Sequence, residues 1–139
     1  MKVIKVYDGK MIKINVTKQS NYPVSSSKLR KALKDFLTKS GIVSDAEVSL
    51  ALVGEKKMAE IGQTYLKDKK LHNVLSFTPE EDKVNFVYPP DGLLHLGEII
   101  VCYPMAFEEA RSEEKLIEEK VIELVEHGAG HLLGKIDQY

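Results

Sequence analysis

Two histidines four residues apart, His127 and His131, stand near the end of the chain in the run His127-Gly128-Ala129-Gly130-His131-Leu132-Leu133-Gly134. On a helix this spacing sets the imidazoles about 40° apart around the axis and one turn apart along it. Their Cβ atoms are then about 6 Å from each other, so both rings can hold one metal ion. Gly134 is placed to end the helix and turn the chain back. Asp137 is the first residue beyond that turn whose side chain can ligate a divalent cation. Two His and one carboxylate, with a position left for water, form an ordinary catalytic zinc set, and the metal brings the pKa of that water towards ~7. One residue excludes a zinc protease of the His-Glu-x-x-His kind: such enzymes carry their general base beside the first His, where this chain has Gly128. The spacing alone leaves open a pair of half-buried helix histidines satisfied by carbonyls.

The elements that must position these groups are legible in the hydrophobic pattern. From about Glu113 a long helix is predicted, with Ile117, Val121, Leu124, Val125 and Gly128 on one face and both histidines at the border of that stripe. Residues 96–101 are apolar enough for a buried strand, and 74–77 and 85–88 read as further strands, the second followed by a Pro89-Pro90-Asp91-Gly92 loop. Val48, Leu50 and Leu52 alternate through another, which ends at Gly54. Earlier, Leu29, Ala32, Leu33, Phe36 and Leu37 describe one helical face, with Ser25, Ser26 and Ser27 as N-cap candidates and Gly41 as terminator. Met58, Ile61 and Tyr65 suggest a short helix weakened by Gly62. The start of the chain reads as a hairpin, Ile4 and Val6 turning at Asp8-Gly9 into Ile12, Ile14 and Val16. The expected fold class is α/β (α+β): a small mixed β-sheet with helices packed on it, and the metal site in a cleft by the last long helix. At 139 residues one domain, 1–139, is expected.

Composition narrows the function classes. Lys plus Arg is 20 and Asp plus Glu is 21, so any contact with nucleic acid must use a local patch, not the bulk field of a polycation. The single cysteine, Cys102, excludes both an internal disulfide and a thiolate metal cluster, and reads as a core residue. No window approaches the ~20 apolar residues of a bilayer span, and no leader pattern opens the chain. A soluble cytoplasmic protein with no membrane partner, monomeric by expectation, follows.

Beyond the histidines, the segment His127-Gly-x-x-His131-Leu-Leu-Gly134 resembles the signature of the YbeY family of bacterial metal-dependent endoribonucleases. Asn73-Val74-Leu75-Ser76-Phe77 is similar to that family's Asp/Asn-Val-Leu-Ser-Phe strand. Leu96-Gly97-Glu98-Ile99-Ile100-Val101 is similar to its Leu-Gly-Asp-Ile-x-Ile strand, and residues 106–110 to the start of its next helix. The resemblance runs from about residue 48 to 137. It implies a mixed sheet of four or slightly more strands, one Zn²⁺ held by His127, His131 and Asp137, and hydrolysis of single-stranded RNA with His127 and His131 in the catalytic centre. It also implies work on rRNA precursors, including the 3′ end of 16S rRNA, and on ribosome quality control. The partners implied are the small ribosomal subunit and its assembly proteins.

The chain departs from the family at informative positions. Asp137 stands where a His is usual and Ile136 where an Asp is usual. Leu66 follows Tyr65 where the family has an Arg facing substrate phosphate, Leu71-His72 replaces Pro-Thr, and Glu98 replaces Asp. Leucine cannot pair with a phosphate, so a ribosome-assembly factor that keeps the fold and metal site but cleaves RNA weakly is the alternative reading. A metallohydrolase acting on a small molecule or peptide is a third. Residues 56–70 carry Lys56, Lys57, Lys67, Lys69 and Lys70 against Glu60 and Asp68. Lys67, Lys69 and Lys70 are therefore the candidate RNA-binding residues, against an ordinary solvated face. Glu98 and Ser76 are candidate supports of the metal-ligating histidines. His72 reads as a polar loop residue and His95 as structural. Residues 108–126, with eight acids and three bases, read as the outer face of the last helices.

Overall fold

The computed structural model describes residues 11–81 and 92–134. The expected strands at 4–6 and 85–88, the Asp8-Gly9 turn and Asp137 lie outside the described residues. The elements follow in the order β1 (Ile12–Thr17), α1 (Ser26–Lys39), β2 (Ala46–Val53), α2 (Glu55–Ile61), β3 (Val74–Phe77), β4 (Leu94–Cys102), α3 (Tyr103–Ser112) and α4 (Ile117–Leu132). Between α2 and β3 the chain makes one π-helical turn, Gly62–Leu66.

Among the described residues four strands form a mixed sheet in the order β1-β2-β4-β3. The first three are parallel and β3 is antiparallel to β4. Parallel neighbours need a crossover, and α1 supplies it between β1 and β2. Ser25 caps α1, accepting the Lys28 N–H at 3.2 Å, and the chain leaves the helix through Gly41 at φ +99. Leu29, Leu33 and Leu37 of α1 are fully buried, each worth about 2 kcal/mol of burial. They meet Val48, Leu50, Leu52, Ile99 and Val101 of the sheet and Val121, Leu124 and Val125 of α4. Helices α1 and α4 therefore cover one face.

The period of two along each strand sends the alternate residues to the other face. There Leu75, Phe77, Ile100 and Cys102 pack with Met58 and Ile61 of α2 in a second, smaller core. Gly62 keeps helical dihedrals and opens the π-helical turn that continues α2. Its missing side chain lets the following loop fold back, with Asp68 Oδ1 only 3.3 Å from where a Cβ would stand.

One irregularity shapes the sheet at the end where α4 finishes. The β2–β4 register shifts at Glu47/Val48, leaving Leu96 as an extra residue between His95 and Gly97. Gly97 has φ +129, and a Cβ there would stand 2.1 Å from the Phe77 carbonyl oxygen and 3.0 Å from Leu132 Cδ2. Only glycine allows β3, β4 and the end of α4 to meet so closely.

Candidate metal and nucleic-acid site

Helix α4 carries both histidines in its last two turns. Its N-terminus is held by Glu119, whose carboxylate accepts the Leu116 N–H at 3.0 Å, and it gives way at Leu133 to Gly134 at φ +75. Leu124, Val125, Gly128 and Leu132 are buried, while His127 and His131 are half-buried, as expected for residues at the border of the apolar stripe. Gly128 is the point of closest packing: an added Cβ would meet Ile99 Cγ2 at 2.8 Å. Ser76, 1% exposed, donates its hydroxyl hydrogen to the Gly128 carbonyl at 3.0 Å. This bond fixes the backbone beside His127.

His131 meets a residue that sequence reasoning did not single out. Its Nε2 lies 3.3 Å from Glu81 Oε1. The Glu81 carboxylate is itself set by the turn after β3, where it accepts the Thr78 N–H at 2.8 Å while the Glu81 N–H reaches Thr78 Oγ1 at 3.3 Å. Partial burial pushes this carboxyl up, but the Thr78 N–H and the His131 side chain outweigh it and leave Glu81 below the usual carboxylate range. The signal was present in the sequence: Thr78-Pro-Glu-Glu81 is a Thr-x-x-Glu capping pattern immediately after a strand.

On the α2 face two grooves meet at Tyr65 and Phe77, whose rings lie 4.8 Å apart. One, of about 280 Å³, is lined by Lys57, Glu60, Thr64, Glu98 and Ile100 as well. The other, of about 470 Å³, adds Leu66, Glu80 and Glu81. Glu98 is thus carried on the α2 face of β4, with Lys57 and Tyr65 as its groove neighbours, whereas α4 packs on the opposite face. Leu66, 40% exposed, stands beside Glu80 and Glu81, and Glu81 touches His131, so position 66 opens on the neighbourhood of the histidines. Lys67, Lys69 and Lys70 are exposed, and Lys67 takes the left-handed conformation (φ 57) that ends the π-helical turn. Among the described residues four carboxylates and one lysine line the two grooves.

The remaining histidines are committed elsewhere. His95 is buried with Nδ1 2.9 Å from Glu47, and His72 Nε2 lies 3.0 Å from Asp68. Cys102 is wholly buried, and burial pushes its thiol up. Among the described residues no three His, Cys, Asp or Glu side chains come together as a metal cluster. Two of the three donors expected from the sequence, His127 and His131, are described residues. Two imidazoles one turn apart at a half-buried helix end are a donor pair that suits a borderline divalent ion.

Fold and site together define a small α+β protein whose last long helix presents a histidine pair at one end of a mixed sheet. The family model described as endoribonuclease YbeY matches residues 12–137. The endoribonuclease YbeY of Moorella thermoacetica is 34% identical over 122 residues, covering 84% of this chain and 78% of that protein. That of Acinetobacter baumannii is 29% identical over 131 residues, covering 88% and 80%. The solution structure of TM1509 from Thermotoga maritima superposes with a TM-score of 0.52 at 28% identity, covering 86% of this chain and 71% of that one. The chain belongs to the YbeY family, a family of nucleases. Among the described residues no helix is long and apolar enough to cross a membrane.

Proposed function

We propose that this protein is a zinc-dependent endoribonuclease that cleaves single-stranded regions of ribosomal RNA precursors in the cytoplasm. One observation carries the reading: His127 and His131 stand one turn apart at the half-buried end of α4, beside the Glu81 turn and next to the groove holding Leu66 and Tyr65. His127 and His131, with Asp137, would hold the ion. When bound, it supplies a Lewis acid and makes hydroxide available at neutral pH. The chain's own part is to fix the ligands and place the substrate. Ser76 and Gly128 set the backbone beside His127, and the Thr78–Glu81 turn sets a carboxylate against the His131 ring. Lys67, Lys69 and Lys70 would hold the RNA backbone, and the partners would be the small ribosomal subunit and its assembly proteins.

The test is cleavage of a labelled single-stranded RNA by the purified protein with zinc, with a chelator, and as His131→Ala. Cleavage that needs zinc and disappears in the variant supports the reading; cleavage equal in all three sets it aside. A second reading has its own observation. Leu66 offers no donor to a phosphate, and among the described residues the adjoining grooves carry four carboxylates to one lysine. That balance suits a ribosome-assembly factor that cleaves weakly.

A further inference from the structure

Charge is divided along this chain. Residues 1–39 hold ten of its twenty Lys and Arg but two of its twenty-one Asp and Glu, a net +8 against −9 for the remainder. An asymmetry of this size marks an interaction with a polyanion. Five of the ten cations lie exposed on one helix, while Lys13 pairs with Glu47 and Lys18 bonds the Tyr22 carbonyl. Because Leu29, Leu33 and Leu37 of α1 turn inward, Lys28, Arg30, Lys31, Lys34 and Lys39 are left exposed on the 14-residue helix, which is about 21 Å long. Asp35 is the single acid in α1. Its hydrogen bond to Lys31 at 2.9 Å, and then the nearby charges of Lys39 and Lys34, hold its carboxyl below the usual range.

Between α1 and the β1 edge of the described sheet, Ile12, Ile14, Arg30, Lys31, Lys34 and Asp35 line a shallow groove of about 430 Å³. Arg30 is laid along it by a 3.3 Å hydrogen bond from Nε to the Ile14 carbonyl, which uses one of the guanidinium's five N–H donors. The direction of α1 matters as well. Ser25 and Lys28 meet Glu118 near the start of α4, and Lys39 acts on Glu126 near its end. The basic row therefore leads towards the end of α4 that carries His127 and His131.

We propose that the exposed side of α1, with the adjoining β1 edge, is a docking surface for the phosphate backbone of RNA, separate from the histidine site and indifferent to base sequence. The proposal takes from the functional reading only the identity of the polyanion. The alternative anionic surface, a membrane, is disfavoured by the helix itself. An interfacial helix presents apolar residues beside its cations, and none of the exposed large hydrophobic residues belongs to α1.

The experiment is fluorescence anisotropy of a labelled single-stranded RNA of mixed sequence titrated with the full chain in chelator, so that binding is read without cleavage. Wild type is compared with R30Q/K31Q/K34Q and with the single variant K34E, whose exposed position keeps the test valid should the triple variant fold poorly. Removing three phosphate contacts lowers the slope of log affinity against log salt by about 2 and weakens binding at low salt about tenfold or more; K34E weakens it about threefold. Affinity and slope unchanged in both variants, or no RNA binding by wild type, overturn the proposal. So does sedimentation with phosphatidylserine vesicles that the triple variant loses while its RNA binding is intact. Wild type that binds the RNA in chelator but leaves it uncut when zinc is supplied instead counts against the nuclease reading alone and leaves the docking surface standing.

Discussion

The Ser76 hydroxyl donates a 3.0 Å hydrogen bond to the carbonyl of Gly128, joining β3 to α4 one residue after His127. Both partners are buried, so the bond links the family's strand motif directly to its histidine motif. Ser76→Ala removes it and should cost about 1 kcal/mol of unfolding free energy. Urea unfolding checks this; zinc affinity should fall a few-fold in the same variant, because the backbone that aims His127 is loosened.

Gly128 is a packing requirement. Gly128→Ala drives a Cβ to 2.8 Å from Ile99 Cγ2, and overpacking of this kind costs about 1–3 kcal/mol, more than the roughly 1 kcal/mol alanine gains in helix propensity. Ile99→Ala opens space at that contact, so the double variant should lose clearly less than the two single losses added together. A double-mutant cycle by chemical denaturation measures the coupling, and strict additivity would show that the contact is not the cause.

Lys120, 4% exposed, sits among Glu109, Glu113 and Glu123 at 3.0–3.4 Å and joins α3 to α4. Burial alone would lower its pKa, but the hydrogen bonds it donates to Glu113 and Glu123 outweigh it and the ammonium is held above its ordinary 10.5. Glu113 and Glu123 are held below their ordinary 4.5 by the hydrogen bonds they accept, Glu113 first from Lys120 and then Lys115, Glu123 first from Lys115 and then Lys120. The carboxylates thus contribute stability that is present above about pH 4.5 and lost as pH falls through their folded values. The raised lysine contributes below about 10.5 and loses its share as pH rises through its folded value. Lys120→Met should therefore cost about 1–3 kcal/mol at neutral pH, with the deficit shrinking as the pH drops below about 4.5. Thermal unfolding of both proteins across that range reads the sign.

Leu66→Arg tests whether a missing phosphate donor limits cleavage. Leu66 is exposed in the groove with Tyr65, Glu80 and Glu81, so the substitution adds a guanidinium at little cost in packing. Single-turnover cleavage of labelled RNA should rise about tenfold or more, somewhat below the effect of a full transition-state donor because Glu80 and Glu81 compete for the new cation. An unchanged rate would show that the missing donor at position 66 does not limit cleavage.

Much of the fold was legible in the sequence because the hydrophobic periods are clean. Leu29, Leu33 and Leu37 predict α1 and its buried side, Ser25 and Gly41 its limits, and the strand 74–77 coincides with β3. The histidines' border position followed from the same arithmetic. What escaped is information that a linear pattern does not carry. Glu98 is carried by strand alternation on the α2 face with Lys57 and Tyr65 as groove neighbours, which a linear motif does not show. Glu81 comes to His131 across a separation of 50 residues. The basic side of α1 was hidden by an almost neutral total charge, because its excess is cancelled by acids elsewhere in the chain.

The central claim is a metal centre built on the end of α4. Elemental analysis of the purified protein supplied with zinc, wild type beside His131→Ala and Asp137→Ala, tests it most directly. The account predicts about one zinc per chain in wild type, little in His131→Ala, and a much weakened uptake in Asp137→Ala. Equal zinc in wild type and His131→Ala, or none in wild type, would contradict it.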